Sequence, residues 1–192
     1  MVGYGLLFMV NADQSVRHWI AAFWGMIGVM GIVLFAIVRL IPYVIDALAI
    51  GLDAWQWLML LISIVLMAWS EGYKGFQLRF SPRVAARTLY LYRNPTSWGT
   101  RLLAPLFCIG YFNASRRARI GVWVGTTAIV MLVLLVHQLD QPWRGILDAG
   151  VVAGLSWGLI SLIVMTVTTF RAGEYLASPE LSDRYNGRTT GD

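Results

Sequence analysis

The stretch EGYKGFQLRFSPRVAARTLYLYRNPTSWGTRLLAPLFCIGYFNASRRAR, residues 71–119, carries nine of the chain's fifteen Lys and Arg residues and one of its ten acids, Glu71. Elsewhere nine acids outnumber six bases, so the formal charge of +5 is concentrated in this segment. Two apolar runs precede it, Trp19–Leu40 and Ala54–Trp69, and two follow it, Ile120–Val136 and Ala149–Phe170. Each is close to or within the roughly 17 to 25 residues that cross a bilayer as helix. The chain is 58% hydrophobic and 13% charged, against roughly 25% charged for a soluble domain. The reading is therefore an all-α integral membrane protein of one domain, with four transmembrane helices as two hairpins joined by a cytoplasmic amphipathic or re-entrant segment.

Basic residues beside short loops are retained in the cytoplasm. The other two loops, 41–53 and 137–148, hold one basic residue between them, Arg144, and four acids. The central loop 71–119 is thus expected in the cytoplasm. Both termini, residues 1–18 and 171–192, follow it there, with Arg17 and Arg171 in agreement. Trp19, Trp69 and Trp123 then fall at the inner boundary and Trp55, Trp57 and Trp143 at the outer one, where indole rings favour the headgroups. Trp24 and Trp157 lie deeper and are expected between helices. Pro42 is expected to end the first crossing. Met1–Val10 has no basic stretch and no small-residue cleavage site, so the first helix is read as retained. A bacterial inner membrane is the expected location. The lone Cys108 excludes an intramolecular disulfide and reads as a small apolar residue.

In lipid, small residues four apart let two helix backbones approach. The fourth run has Gly150, Gly154 and Gly158, and the third has Gly121 and Gly125. This face either closes the bundle or docks against another membrane protein. Ser161 and Thr166 can bond back to their own helix.

Within the central loop, Ser81-Pro82 reads as a helix start, with a hydroxyl cap and proline in the first turn. The helix runs to Arg93, with Arg83 and Arg87 four apart on one face, and lies along the membrane surface. Trp98–Phe112 is too short to cross and suits an interfacial or re-entrant segment bent at Pro105. Asn113-Ala114-Ser115 reads as a turn with a helix cap. Glu71, the one acid in this region, is expected to pair with Lys74 or an arginine.

Nine basic residues exceed what anchoring needs, and Arg forks suit phosphate. The expected lipid-phosphate or partner-binding set is Arg79, Arg83, Arg87, Arg93, Arg101, Arg116, Arg117 and Arg119. The expected helix-packing set is Gly121, Gly125, Gly150, Gly154 and Gly158. No catalytic residue, metal site or cofactor is expected: His18 and His137 fall on opposite sides, and no carboxylate pair or Cys/His cluster stands near the arginines. The preferred reading is a non-catalytic subunit, assembly factor or scaffold. Its partners are anionic lipid headgroups and other membrane proteins or a second copy, and nucleic acid is not among them. A small oligomeric channel or transporter and a lipid-modifying enzyme are the alternatives. Both lack the intramembrane ionisable groups or acid–base groups that they need.

Overall fold

The computed structural model describes residues 2–181, with side chains from residue 18 onward. The Arg17 side chain and the tail beyond Leu181 lie outside what is described. The described residues form helices α1 (Val2–Ile50), α2 (Ala54–Met67), a π-helical segment (Ala68–Phe80), α3 (Ser81–Arg93), α4 (Trp98–Leu102), α5 (Ala104–Ile109), α6 (Arg116–Val136) and α7 (Trp143–Ala172). Four helices are long and apolar enough to cross a membrane: His18–Ile50, Ala54–Arg93, Arg116–Val136 and Trp143–Ala172.

Pro42 does not end α1; it sits inside the helix, which continues to Ile50. Proline removes one intrahelical bond and kinks a helix without always stopping it. The stop comes at Gly51, whose φ of +84° is open to glycine at little cost. Asp53 starts α2 through a reciprocal capping box with Gln56.

The second apolar helix does not end at Trp69, where its apolar run stops. Residues 54–93 are one continuous helical rod of 40 residues, wound as π-helix in its middle. Residue pairs along α7 explain why. A Cβ on Gly150 would meet Ser63, one on Gly154 Met67 and one on Gly158 Phe76, and Arg93 donates to the Gly173 carbonyl. The rod from Ser63 to Arg93 therefore runs beside the shorter stretch from Gly150 to Gly173, and the wider π winding takes up the excess residues. Ser81 is accordingly no N-cap: its own N–H already bonds the Phe76 carbonyl, and its hydroxyl is buried without a partner. Pro82, which has no N–H, falls where winding returns to α and a missing donor costs least.

Neither expected hairpin packs as a pair. α7 is the central helix and lies against α1, α2, the π segment and α3, whereas α1 and α2 share no extensive contact and meet where Val44 joins the small cluster of Leu60, Ile146 and Ala149. α1 runs antiparallel to α7: Ala47 meets Gly145, Met26 meets Thr166 and Trp19 meets Phe170. One face of α1, formed by Ala22, Met26, Val29, Val33 and Ile37, enters a core with Val84, Tyr90 and Leu91 of α3, Phe107 and Cys108 of α5, and Leu162 of α7.

The Trp98–Phe112 segment inserts against α1. Its two short helices break at Leu103, and Pro105 lies in the first turn of α5, where its missing N–H is harmless. A Cβ on Gly28 would lie 2.3 Å from Pro105 and one on Gly25 2.9 Å from the Cys108 sulfur, so these α1 glycines admit α5. Ser115 caps α6 by accepting from the Ala118 N–H, with Asn113 at φ +54°, which is the turn and cap expected from Asn-Ala-Ser.

α6 stands off. Among the described residues it shares no extensive packing with another helix, and its central apolar window has 0% of its residues buried. Its attachment runs from its start to its midpoint on one side: Tyr111 hydrogen-bonds Thr126 at 2.6 Å and packs edge-on against Trp123.

Candidate functional site: the basic end of the bundle

The arginines expected to act together separate into different environments. Arg87, assigned by spacing to the exposed face of a surface helix, is 2% exposed. Each guanidinium nitrogen donates to a backbone carbonyl: Nη1 to Phe107 at 2.8 Å, Nε to Pro179 at 2.8 Å and Nη2 to Glu180 at 3.1 Å. The planar fork suits several acceptors at once, and those acceptors offset much of the desolvation of a buried cation. Arg87 is therefore removed from the set of free surface cations. The reason is that α3 packs on α1, α5 and α7, so that every residue from Val84 to Leu91 is buried. Helical periodicity puts Arg83 and Arg87 on one side but is silent on which neighbours cover that side.

Gly110 completes the Arg87 site. Its φ is +106°, and a Cβ there would stand 3.1 Å from Arg87 Nη1. The position excludes side chains on both counts.

Arg83 remains partly exposed. It donates through Nε to the Arg79 carbonyl and pairs with Glu180, Nη1 to Oε2 3.3 Å. Arg93 is exposed, lies over the Tyr175 ring at 5.6 Å and donates to Gly173. Arg79, Arg116, Arg117 and Arg119 are exposed, and none has an ion pair among the described residues; Arg101 is half-buried. The expected pairing of Glu71 is not found among the described residues: Lys74 sits over the Trp69 ring at 5.3 Å instead. The acid that does reach the basic end is Glu180, far along the chain. Sequence reasoning missed it because nothing local marks residue 180 as folding back.

The fold-back is held at its end by a few contacts. Leu181 is 4% exposed within the main core, pairs with Ala114 in an isolated β-bridge, and Ser115 N–H donates to the Glu180 carbonyl at 2.8 Å.

Cys108 is fully buried beside Thr88, 3.5 Å from its hydroxyl. Burial pushes its thiol up to about 11, an effect only partly opposed by the Thr88 contact and the Arg87 charge. The thiolate is the reactive form, so the native protein is expected to resist maleimide at pH 7.5 and to label fully once unfolded. Mass spectrometry of the adduct in both states checks this. Since the unfolded thiol ionises near 9.0, its contribution to stability is complete below that pH and is lost as pH rises toward 11.

The packing glycines also divide. Gly150, Gly154 and Gly158 are in close contact with the second rod, with a Cβ reaching Ser63 Oγ at 2.3 Å, the Met67 carbonyl at 3.0 Å and the Phe76 ring at 2.4 Å. A Cβ on Gly121 or Gly125 of α6 would meet nothing within 4 Å among the described residues. Trp24 and Trp157, expected between helices, are half exposed; their indole N–H groups reach the Leu102 carbonyl at 3.1 Å and Gln77 at 2.8 Å. Ser161 and Thr166 bond back to Trp157 and Leu162 in their own helix.

At the opposite end, Arg144 lies 3.6 Å above the Tyr43 ring, bonds His137 at 2.9 Å and comes within 3.8 Å of the buried Asp148. These groups tie α7 to α1 and to the turn before it. Among the described residues no three His, Cys, Asp or Glu side chains come together as metal ligands would. Set beside known proteins, the chain matches no family, no curated protein and no solved structure.

Proposed function

We propose that the chain is a non-catalytic multi-pass protein of the bacterial inner membrane that serves as a subunit, assembly factor or scaffold and offers α6 to a helix of another membrane protein. The observation that carries this reading is α6 itself: a 21-residue helix, uncharged beyond Arg119, standing apart from the other described helices, with the backbone at Gly121 and Gly125 open. Small residues four apart permit close backbone contact, which drives helix association in lipid. α7 spends its own glycines inside the bundle, whereas α6 keeps its pair free. Arg79, Arg101, Arg116, Arg117 and Arg119 form the cytoplasmic face and meet anionic headgroups, each contributing about 1 kcal/mol near such a surface.

The test is purification of the tagged chain in mild detergent followed by mass spectrometry of what accompanies it. A stoichiometric membrane partner is expected. Gly121→Leu with Gly125→Leu is expected to cut its recovery by about tenfold, the change for about 1.4 kcal/mol of lost packing, while the melting temperature of the chain does not fall. A lone chain in the wild-type preparation, or undiminished recovery with the double variant, overturns the reading.

A further inference from the structure

Arg83 and Arg87 face a set of oxygens that comes from the chain's own tail. The carboxylate of Glu180 reaches Arg83, and the carbonyls of Pro179 and Glu180 reach Arg87. Two guanidinium forks converging on several oxygens from one short segment is an arrangement that also suits a phosphate group. The segment that supplies these oxygens belongs to no helix. Between Gly173 and Leu181 its ordered attachments are the Arg93 and Arg87 bonds, the Arg83 pair, one β-bridge and one buried apolar side chain, Leu181. Local openings of a protein draw on segments with few buried apolar contacts. Arg116, Arg117 and Arg119 follow directly on Ser115, which itself holds the Glu180 carbonyl.

We propose that Pro179–Leu181 is an internal ligand closing a phosphate-binding socket formed by Arg83 and Arg87, and that a phosphate-bearing group takes this place when the tail leaves. The proposal deepens, and rests on, the reading that the basic face meets anionic headgroups. It adds a gate: the tail competes with phosphate for the same guanidinium donors.

Leu181→Asp withdraws the apolar anchor and leaves Glu180 in place. Its effect on the tail is read by glutamyl endopeptidase, which is expected to cut after Glu180 faster in the variant than in the wild type. The full chain in detergent is then titrated with dioleoylphosphatidylglycerol, with dioleoylphosphatidylcholine as the neutral control, and bound lipid is counted by native mass spectrometry. In a parallel arm, inorganic phosphate is added and the melting temperature followed. Leu181→Asp is expected to bind phosphatidylglycerol about fivefold more tightly than the wild type, the scale of one partly exposed charged contact. Adding Arg83→Gln to Leu181→Asp is expected to remove the gain. An effect of phosphatidylglycerol alone assigns the phosphate to lipid, and an equal effect of inorganic phosphate assigns it to a soluble donor. A cleavable tail with unchanged affinity, a gain that survives Arg83→Gln, or a Glu180 site as protected as in the wild type each overturns the gate. If both chains prefer phosphatidylglycerol equally, the gate fails and the basic face stands; if neither shows a preference, both fail.

Discussion

Arg87→Met is expected to cost about 3 to 5 kcal/mol of stability, the range for breaking a buried charged network from one side. The side chain of methionine fills part of the space but donates nothing, so the Phe107, Pro179 and Glu180 carbonyls lose their partner together. The tail carbonyls can reach water if Pro179–Leu181 opens. The Phe107 carbonyl has less escape, because Phe107 is 0% exposed and sits in the main core. Arg87→Lys keeps the charge but replaces a planar fork with a compact ammonium that cannot reach three separated carbonyls, and about half the loss is expected. Thermal and denaturant unfolding in dodecyl maltoside reads both values. Cys108 gives a second readout, since loosening of α5 around Phe107 raises its maleimide reactivity in step with the instability. A loss below about 1 kcal/mol for Arg87→Met, within the range of a surface change, would show that α3, α5 and the tail are held by packing alone.

The second large effect separates glycines that look alike in sequence. Gly145→Ala and Gly150→Ala are each expected to destabilise the bundle by about 3 kcal/mol, at the upper end of overpacking. A methyl group on Gly145 would stand 2.4 Å from the Tyr43 carbonyl oxygen, and one on Gly150 2.8 Å from the Ser63 carbonyl oxygen. Backbone atoms cannot rotate aside, so α7 must move away from α1 or α2 as a whole. Gly121→Ala and Gly125→Ala meet nothing, and within the isolated chain they are expected to change stability by no more than about 0.5 to 1 kcal/mol, and in the favourable direction, as helix propensity dictates. Melting curves of the four single variants provide the comparison. Equal losses at all four positions would mean that α6 packs against the bundle.

Several local features were legible in the residues themselves. Ser115 caps α6, Ser161 and Thr166 bond back within α7, and four stretches are long and apolar enough to cross a membrane. Each of these depends on neighbours within about one helical turn or on summed composition, which sequence carries directly. The Ser81-Pro82 signal gave the bounds of α3 and its first-turn proline, but the hydroxyl cap failed for a reason that is also physical. It has the residue types of a helix start, but the preceding amide groups were already satisfied by π winding, and that winding follows from the register of the rod against α7. Arg83 and Arg87 show the same limit. Four residues apart they share a side, yet one is part of the core and the other pairs at its edge, because α5 and the tail cover α3 unequally.

What the sequence determined by itself is the class of molecule and the concentration of charge at one end, since apolar length and charge count are additive along the chain. Only the tertiary structure decided which glycines are occupied, which arginines are free and which acid they meet. α7 takes the central position because its three glycines let it approach the rod closely along its length, and α6 is left with no helix packed extensively along it among the described residues. Glu180 meets Arg83 because Leu181 finds a place in the core nearly a hundred residues from its partner in sequence, and contacts of that range leave no mark in local pattern.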